Sequence, residues 1–69
     1  METITVQLNG KPQTQPATQT VQDLIAQLEL GNQRYAVEIN STLVPRSTYP
    51  QHKLQANDHI EIVQAIGGG

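Results

Sequence analysis

The chain has 69 residues, no cysteine, a formal net charge of -2 and 36% hydrophobic residues. That length allows one small domain with a marginal core. The missing thiols exclude disulfides, thiolate metal sites and any cysteine nucleophile. Only four basic residues, Lys11, Arg34, Arg46 and Lys53, are scattered along the chain, and two tyrosines are its whole aromatic content, so nucleic acid is not expected as a partner. The opening Met1-Glu2-Thr3-Ile4 lacks a basic segment followed by an apolar run, and no stretch reaches membrane-spanning length. No membrane association is expected, and a cytoplasmic location is.

Residues 3 to 8 alternate strictly, with Ile4, Val6 and Leu8 on one face and Thr3, Thr5 and Gln7 on the other, which predicts a half-buried strand. Asn9-Gly10 follows, and both tolerate positive φ, as the two-residue turn of a hairpin requires. The returning arm is ambiguous. Pro12, Pro16 and the intervening polar residues make Lys11 to Gln15 either a short edge strand or a glutamine-rich linker. Thr20 reads as a helix N-cap with Asp23 three positions on, and Val21, Leu24, Ile25 and Leu28 then form one apolar stripe. Gly31 is the expected stop, in the left-handed conformation.

Tyr35, Val37 and Ile39 alternate with polar or small neighbours, and Asn40-Ser41 or Ser41-Thr42 turns the chain into Leu43-Val44. Pro45 ends that hairpin. Ser47-Thr48-Tyr49-Pro50 is turn chemistry, Leu54 is a lone apolar anchor, and Asn57-Asp58 is a further turn. His59-Ile60-Glu61-Ile62-Val63 alternates again, with Ile60 and Ile62 inward and Val63 opposite them. Four or five strands and one helix predict an α+β fold of the β-grasp type: a mixed four- to five-stranded sheet with the helix packed across one face. The first and last strands should pair in parallel at its centre. The folded body is expected over residues 1–63, with 64–69 as a flexible tail.

That tail holds three of the five glycines, Gly67, Gly68 and Gly69. Glycines there stabilise no core, and without Cβ atoms they can thread a narrow channel and leave a terminal carboxyl carbon open to attack. On the glycines alone, a frayed end is the other reading. A strand held at the sheet centre just before them favours a presented carboxylate.

With these elements in place, the chain resembles the ubiquitin-like sulfur carriers, and among them the ThiS family of thiamine biosynthesis. The resemblance covers the whole length. It is carried by Ile39-Asn40, Leu43-Val44-Pro45-Arg46, Leu54, Asp58 before Ile60-Glu61-Ile62-Val63, and the ending Ala65-Ile66-Gly67-Gly68-Gly69. One departure is Asn57, where the family usually has glycine; asparagine is the next most tolerant of positive φ.

The resemblance implies a protein co-substrate, not an enzyme, with the carboxylate of Gly69 as the reacting group. A partner of the ubiquitin-activating type (ThiF type) would join that carboxylate to AMP from ATP, and sulfur from a donor protein would then displace AMP. A thiazole synthase (ThiG type) would consume the resulting thiocarboxylate to form the thiamine thiazole ring. No cofactor is expected to be bound by the carrier itself; ATP is used by its partner. Val63, Ala65, Ile66, Arg46 and Leu43 or Val44 are the expected partner contacts. Arg46 has other uses open to it, bonding a backbone carbonyl or pairing with Glu38. Val63 could instead pack under the loop from Ser47 to Leu54.

The remaining candidates are weak. His52 and His59 have no third ligand at recognisable spacing, so no metal site is expected. Ser41, Ser47 and Thr48 have no activating base in a motif. Other functions for the same fold are sulfur transfer to molybdopterin, conjugation to lysines as a modifier, or a plain interaction module with an inert tail.

Overall fold

The computed structural model describes residues 2–31 and 33–64. Strand β1, Thr3–Leu8, turns at Asn9-Gly10, both at positive φ (50° and 84°), into β2, Lys11–Pro16. That is the type I′ pattern whose twist suits a two-residue hairpin. Helix α1 spans Val21–Leu28, followed by β3, Tyr35–Ile39, β4, Thr42–Val44, a 3-10 turn at Arg46–Thr48, and β5, His59–Gln64. The strands form one sheet in the order β2-β1-β5-β3-β4. β1 and β5 are parallel while every other pair is antiparallel. The sheet is therefore mixed and five-stranded, with the first and last strands adjacent at its centre, as the alternation predicts.

Lys11–Pro16 is a full strand and not a linker, paired with β1 from Leu8↔Lys11 to Thr3↔Pro16. It lies at the sheet edge, where a residue without an N–H removes no ladder bond on the open side. The helix begins as expected: Thr20 Oγ1 accepts from Asp23 N (3.2 Å) and Asp23 Oδ2 accepts from Thr20 N (3.1 Å), a reciprocal capping box. Its end differs. Glu29 (φ 52°) takes the left-handed C-cap position, and Gly31 (φ 64°) is left-handed two residues later.

Val21 and Leu24 of α1 pack against Val6, Leu8, Val37, Ile39, Val44 and Ile60 of the sheet, with Leu54 and Tyr49 closing the core from the long connection. Tyr49, inside the run that reads as turn chemistry, is buried. The connection is fastened to the start of α1 by backbone bonds: Val21 N donates to His52 O (2.9 Å), Gln22 N to Tyr49 O (3.2 Å) and Leu54 N to Gln19 O (2.9 Å). Gln19 and Gln15 are also buried, and they satisfy each other through a 2.8 Å Nε2 to Oε1 bond.

A second polar cluster joins the β3–β4 turn to the entrance of β5. Asn40 and Ser41 (φ 53° and 69°) form the turn; Asn40 Nδ2 donates to Asp58 Oδ1 (3.1 Å) and Asn40 Oδ1 accepts from His59 N (3.0 Å). Asp58 Oδ2 also accepts from Gln55 N (2.9 Å), which closes the turn through Asn57 at φ 69°. Replacing buried Asp58 strands both donors. Asp58→Ala should cost about 1–3 kcal/mol in urea unfolding, whereas Asp58→Asn, which keeps one acceptor, should cost less.

Burial holds the Tyr49 phenol above its ordinary value near 10, with Tyr35 adding to the shift and Arg46 opposing it. The folded state thus favours the protonated phenol. This contribution to stability is constant below about pH 10 and declines as pH rises above it, when the unfolded state ionises first. Alkaline titration of the unfolding midpoint should show that decline, and Tyr49→Phe should flatten it.

Candidate functional site

Everything the tail requires of the body passes through β5. Its antiparallel partner β3 follows it from Ile39↔Ile60 to Tyr35↔Gln64, the last described residue before the tail. Its parallel partner β1 accompanies only its start, at Gln7↔His59 and Leu8↔Ile60. Gln64 is further tied by its side chain, whose Nε2 donates to Gln33 Oε1 at 2.6 Å. Arg46 braces the neighbouring strand at the same level: its guanidinium stacks 4.5 Å from the Tyr35 ring centroid and Nη2 donates to Tyr35 O (3.4 Å).

The two faces of the sheet divide by alternation. Val37, Ile39 and Ile60 point to the helix side, which leaves Ala36, Glu38, Glu61 and Val63 on the opposite face. There Ala36 sits beside Val63, and Leu43, Glu38 and Glu61 lie abreast across β4, β3 and β5. Leu43 is 62% exposed and Val63 53% exposed, the large apolar side chains most open to solvent among the described residues. Two carboxylates on facing positions repel each other slightly. The face is thus an acidic centre between two apolar side chains, one of them a single residue from Gln64. An open groove of about 570 Å³ adjoins the end of β5, lined on the helix side by Leu8, Leu28, Leu30 and Ile62.

A family model described as the ThiS family matches residues 6–69. The chain belongs to the ThiS family. It is 40% identical over 65 residues to the sulfur carrier protein ThiS of Bacillus subtilis, covering 93% of this chain and 98% of that protein. It is 41% identical over 64 residues to a thiazole synthase of Magnetococcus marinus, a match that spans 93% of this chain but 20% of that enzyme. Among solved structures, the thiamine biosynthesis protein ThiS of Geobacter metallireducens superposes with a TM-score of 0.81 at 25% identity, over 96% of this chain and all of that one. Family membership and the superposition agree with the β-grasp arrangement read from the strand order.

Within this frame the expected contact residues separate. Val63 and Leu43 are exposed on one face, and Val63 does not pack under the long connection. Val44 is not available: it pairs with Val37 on the helix side and is 6% exposed. The alternation of a three-residue strand sends Leu43 out and Val44 in. Arg46 is committed to Tyr35, its backbone carbonyl and its ring, and not to Glu38. Ala65, Ile66, Gly67, Gly68 and Gly69 lie outside the described residues, and the strand itself continues through Gln64, one residue past the expected body. Among the described residues, no three histidine, aspartate or glutamate side chains are grouped to hold a metal ion. No helix there is long and apolar enough to cross a membrane.

The exposure difference between Leu43 and Val44 is directly testable. Leu43→Asp should change unfolding free energy by no more than about 0.5 kcal/mol, while Val44→Asp, which buries a charge, should unfold the protein or cost more than about 3 kcal/mol.

Proposed function

We infer that this chain is a sulfur carrier for formation of the thiamine thiazole ring, and that the carboxylate of Gly69 is its reacting group. The observation that carries this reading is the family match, which runs through Gly69, five positions in sequence after β5, the strand held in the sheet centre.

A carboxylate is a weak electrophile at neutral pH. An adenylyltransferase of the ubiquitin-activating kind (ThiF type) transfers AMP from ATP to it; a carboxylate oxygen attacks the α-phosphorus and pyrophosphate leaves. Hydrosulfide released by a sulfur donor protein then attacks the acyl carbon: a C–S bond forms, the acyl–oxygen bond breaks to release AMP, and loss of the S–H proton leaves Gly69 as a thiocarboxylate. A thiazole synthase (ThiG type) takes up that sulfur. The carrier holds no ATP and performs no turnover of its own, so it acts as a co-substrate in the cytoplasm. Its contribution is positional: docking of the body confines the terminus near the nucleotide and raises its effective concentration.

Leu43 and Val63 on either side of Glu38 and Glu61 suit a partner surface that offers a basic side chain between apolar ones. Arg46 serves the docking indirectly by stiffening Tyr35, which pairs with Gln64. Ala65 and Ile66 are the contacts that follow the body into the partner's channel. The thiazole synthase relatives favour thiazole formation over sulfur transfer to molybdopterin or conjugation to lysine.

Incubation with a cognate activating enzyme, ATP and a sulfur donor should shift the intact mass by one oxygen-to-sulfur exchange, and removal of Gly68 and Gly69 should abolish the shift. Unmodified wild-type protein overturns the carrier reading. Amide linkage to lysines of other proteins supports the modifier instead.

A further inference from the structure

β1 and β5 separate where the tail-bearing strand most needs a second neighbour. Their parallel register ends at Leu8↔Ile60, because Asn9-Gly10 turns the chain away into β2, yet β5 continues to Gln64. Past Ile60, β5 therefore keeps a full strand on its β3 side and loses one on the other. Asn9 fills the gap from the turn. Its backbone N donates to Ile60 O (2.8 Å), and its side-chain Oδ1 accepts from Ile62 N (2.9 Å). The amide oxygen stands where the carbonyl of a further β1 residue would be, so a side chain extends the ladder by one rung while the same residue, at φ 50°, makes the turn.

We propose that Asn9 is a positioning residue for the carrier reaction: it holds the last rung of the ladder on β5, so that the segment Ile62 to Gln64, from which the tail starts, keeps one position on the body. The proposal rests on the carrier reading above. Ile62 is seven positions before Gly69, and movement of that root adds to the range of positions open to the terminus. Loosening it leaves Leu43 and Val63 in place for docking but spreads the carboxylate over more positions, which lowers the fraction in attacking geometry.

Two substitutions isolate the side-chain bond from the turn. Asn9→Gly keeps the positive φ that a type I′ turn needs and removes Oδ1; Asn9→Asp keeps both the φ tolerance and an acceptor oxygen. Native-state hydrogen exchange and adenylation kinetics with the cognate activating enzyme are read together. In Asn9→Gly, exchange at Ile62 N–H should rise about tenfold relative to Leu24 N–H, the effect of losing one hydrogen bond. Its kcat for adenylation should fall several-fold with KM little changed, and Asn9→Asp should restore both. A merely structural role would instead raise exchange at Leu24 and Ile62 together and leave kcat of the folded protein unaltered. Unchanged relative exchange at Ile62 overturns the latch, and deprotected Ile62 with unchanged kcat overturns its role in the reaction. Failure of wild-type protein to be adenylated at all counts against the carrier reading, and the exchange data then judge the latch separately.

Discussion

The pairing of β5 on both sides, parallel to β1 and antiparallel to β3, is the constraint on which the rest of the structure depends. It is the most sequence-distant pairing in the chain, joining the first strand to the last, and therefore the one whose closure costs most conformational entropy. Local devices reduce that cost by fixing what lies between. The capping box starts α1, two turns with both central residues at positive φ close the hairpins, and the long connection is bonded to the helix start through Val21, Gln22 and Gln19. Once these are formed, Ile60 has a place to enter between Leu8 and Ile39.

Asparagine is used in this chain as a structural joint. Asn40 and Asn9 each occupy a left-handed turn position and each lend a side-chain oxygen to an amide of β5, at His59 and Ile62 respectively. Asn57 is likewise left-handed, in the turn that leads into β5. Asparagine combines tolerance of positive φ with a neutral amide that both donates and accepts, which neither glycine nor an ionised aspartate offers. The last strand of the sheet is thus anchored at its entrance and its middle by side chains that belong to turns.

Much of the fold was legible because the alternation of Ile4, Val6 and Leu8, of Tyr35, Val37 and Ile39, and of Ile60 and Ile62 has the period of a strand, while Val21, Leu24, Ile25 and Leu28 have that of a helix. β2 was ambiguous for a physical reason: an edge strand needs no apolar face of its own and admits Pro12 and Pro16, so it carries neither of the usual signals. Tyr49 was hidden among turn formers, and its burial depends on where the loop is folded back over the sheet. Glu29 takes the left-handed cap and half-buried Leu30 follows it, so the helix stops two residues before Gly31, which is left-handed in its turn. Of the site, the exposed Val63 follows from strand alternation. The bonds from Asn9 to Ile62 and from Arg46 to Tyr35 join residues far apart in sequence, and no local pattern encodes them. Neither Leu43 nor Val44 could be preferred until the register of a three-residue strand was known.

Both open edges of the sheet are poor templates for another chain. On one side β2 presents Pro12 and Pro16, and on the other β4 has only three residues before Pro45. Strand addition needs a run of unpaired backbone donors and acceptors, and neither edge provides one. The sheet therefore resists joining edge to edge with a second copy of itself into aggregates. What the sheet offers a partner is therefore its open face, where Leu43 and Val63 stand exposed and a substitution changes the surface without disturbing the backbone.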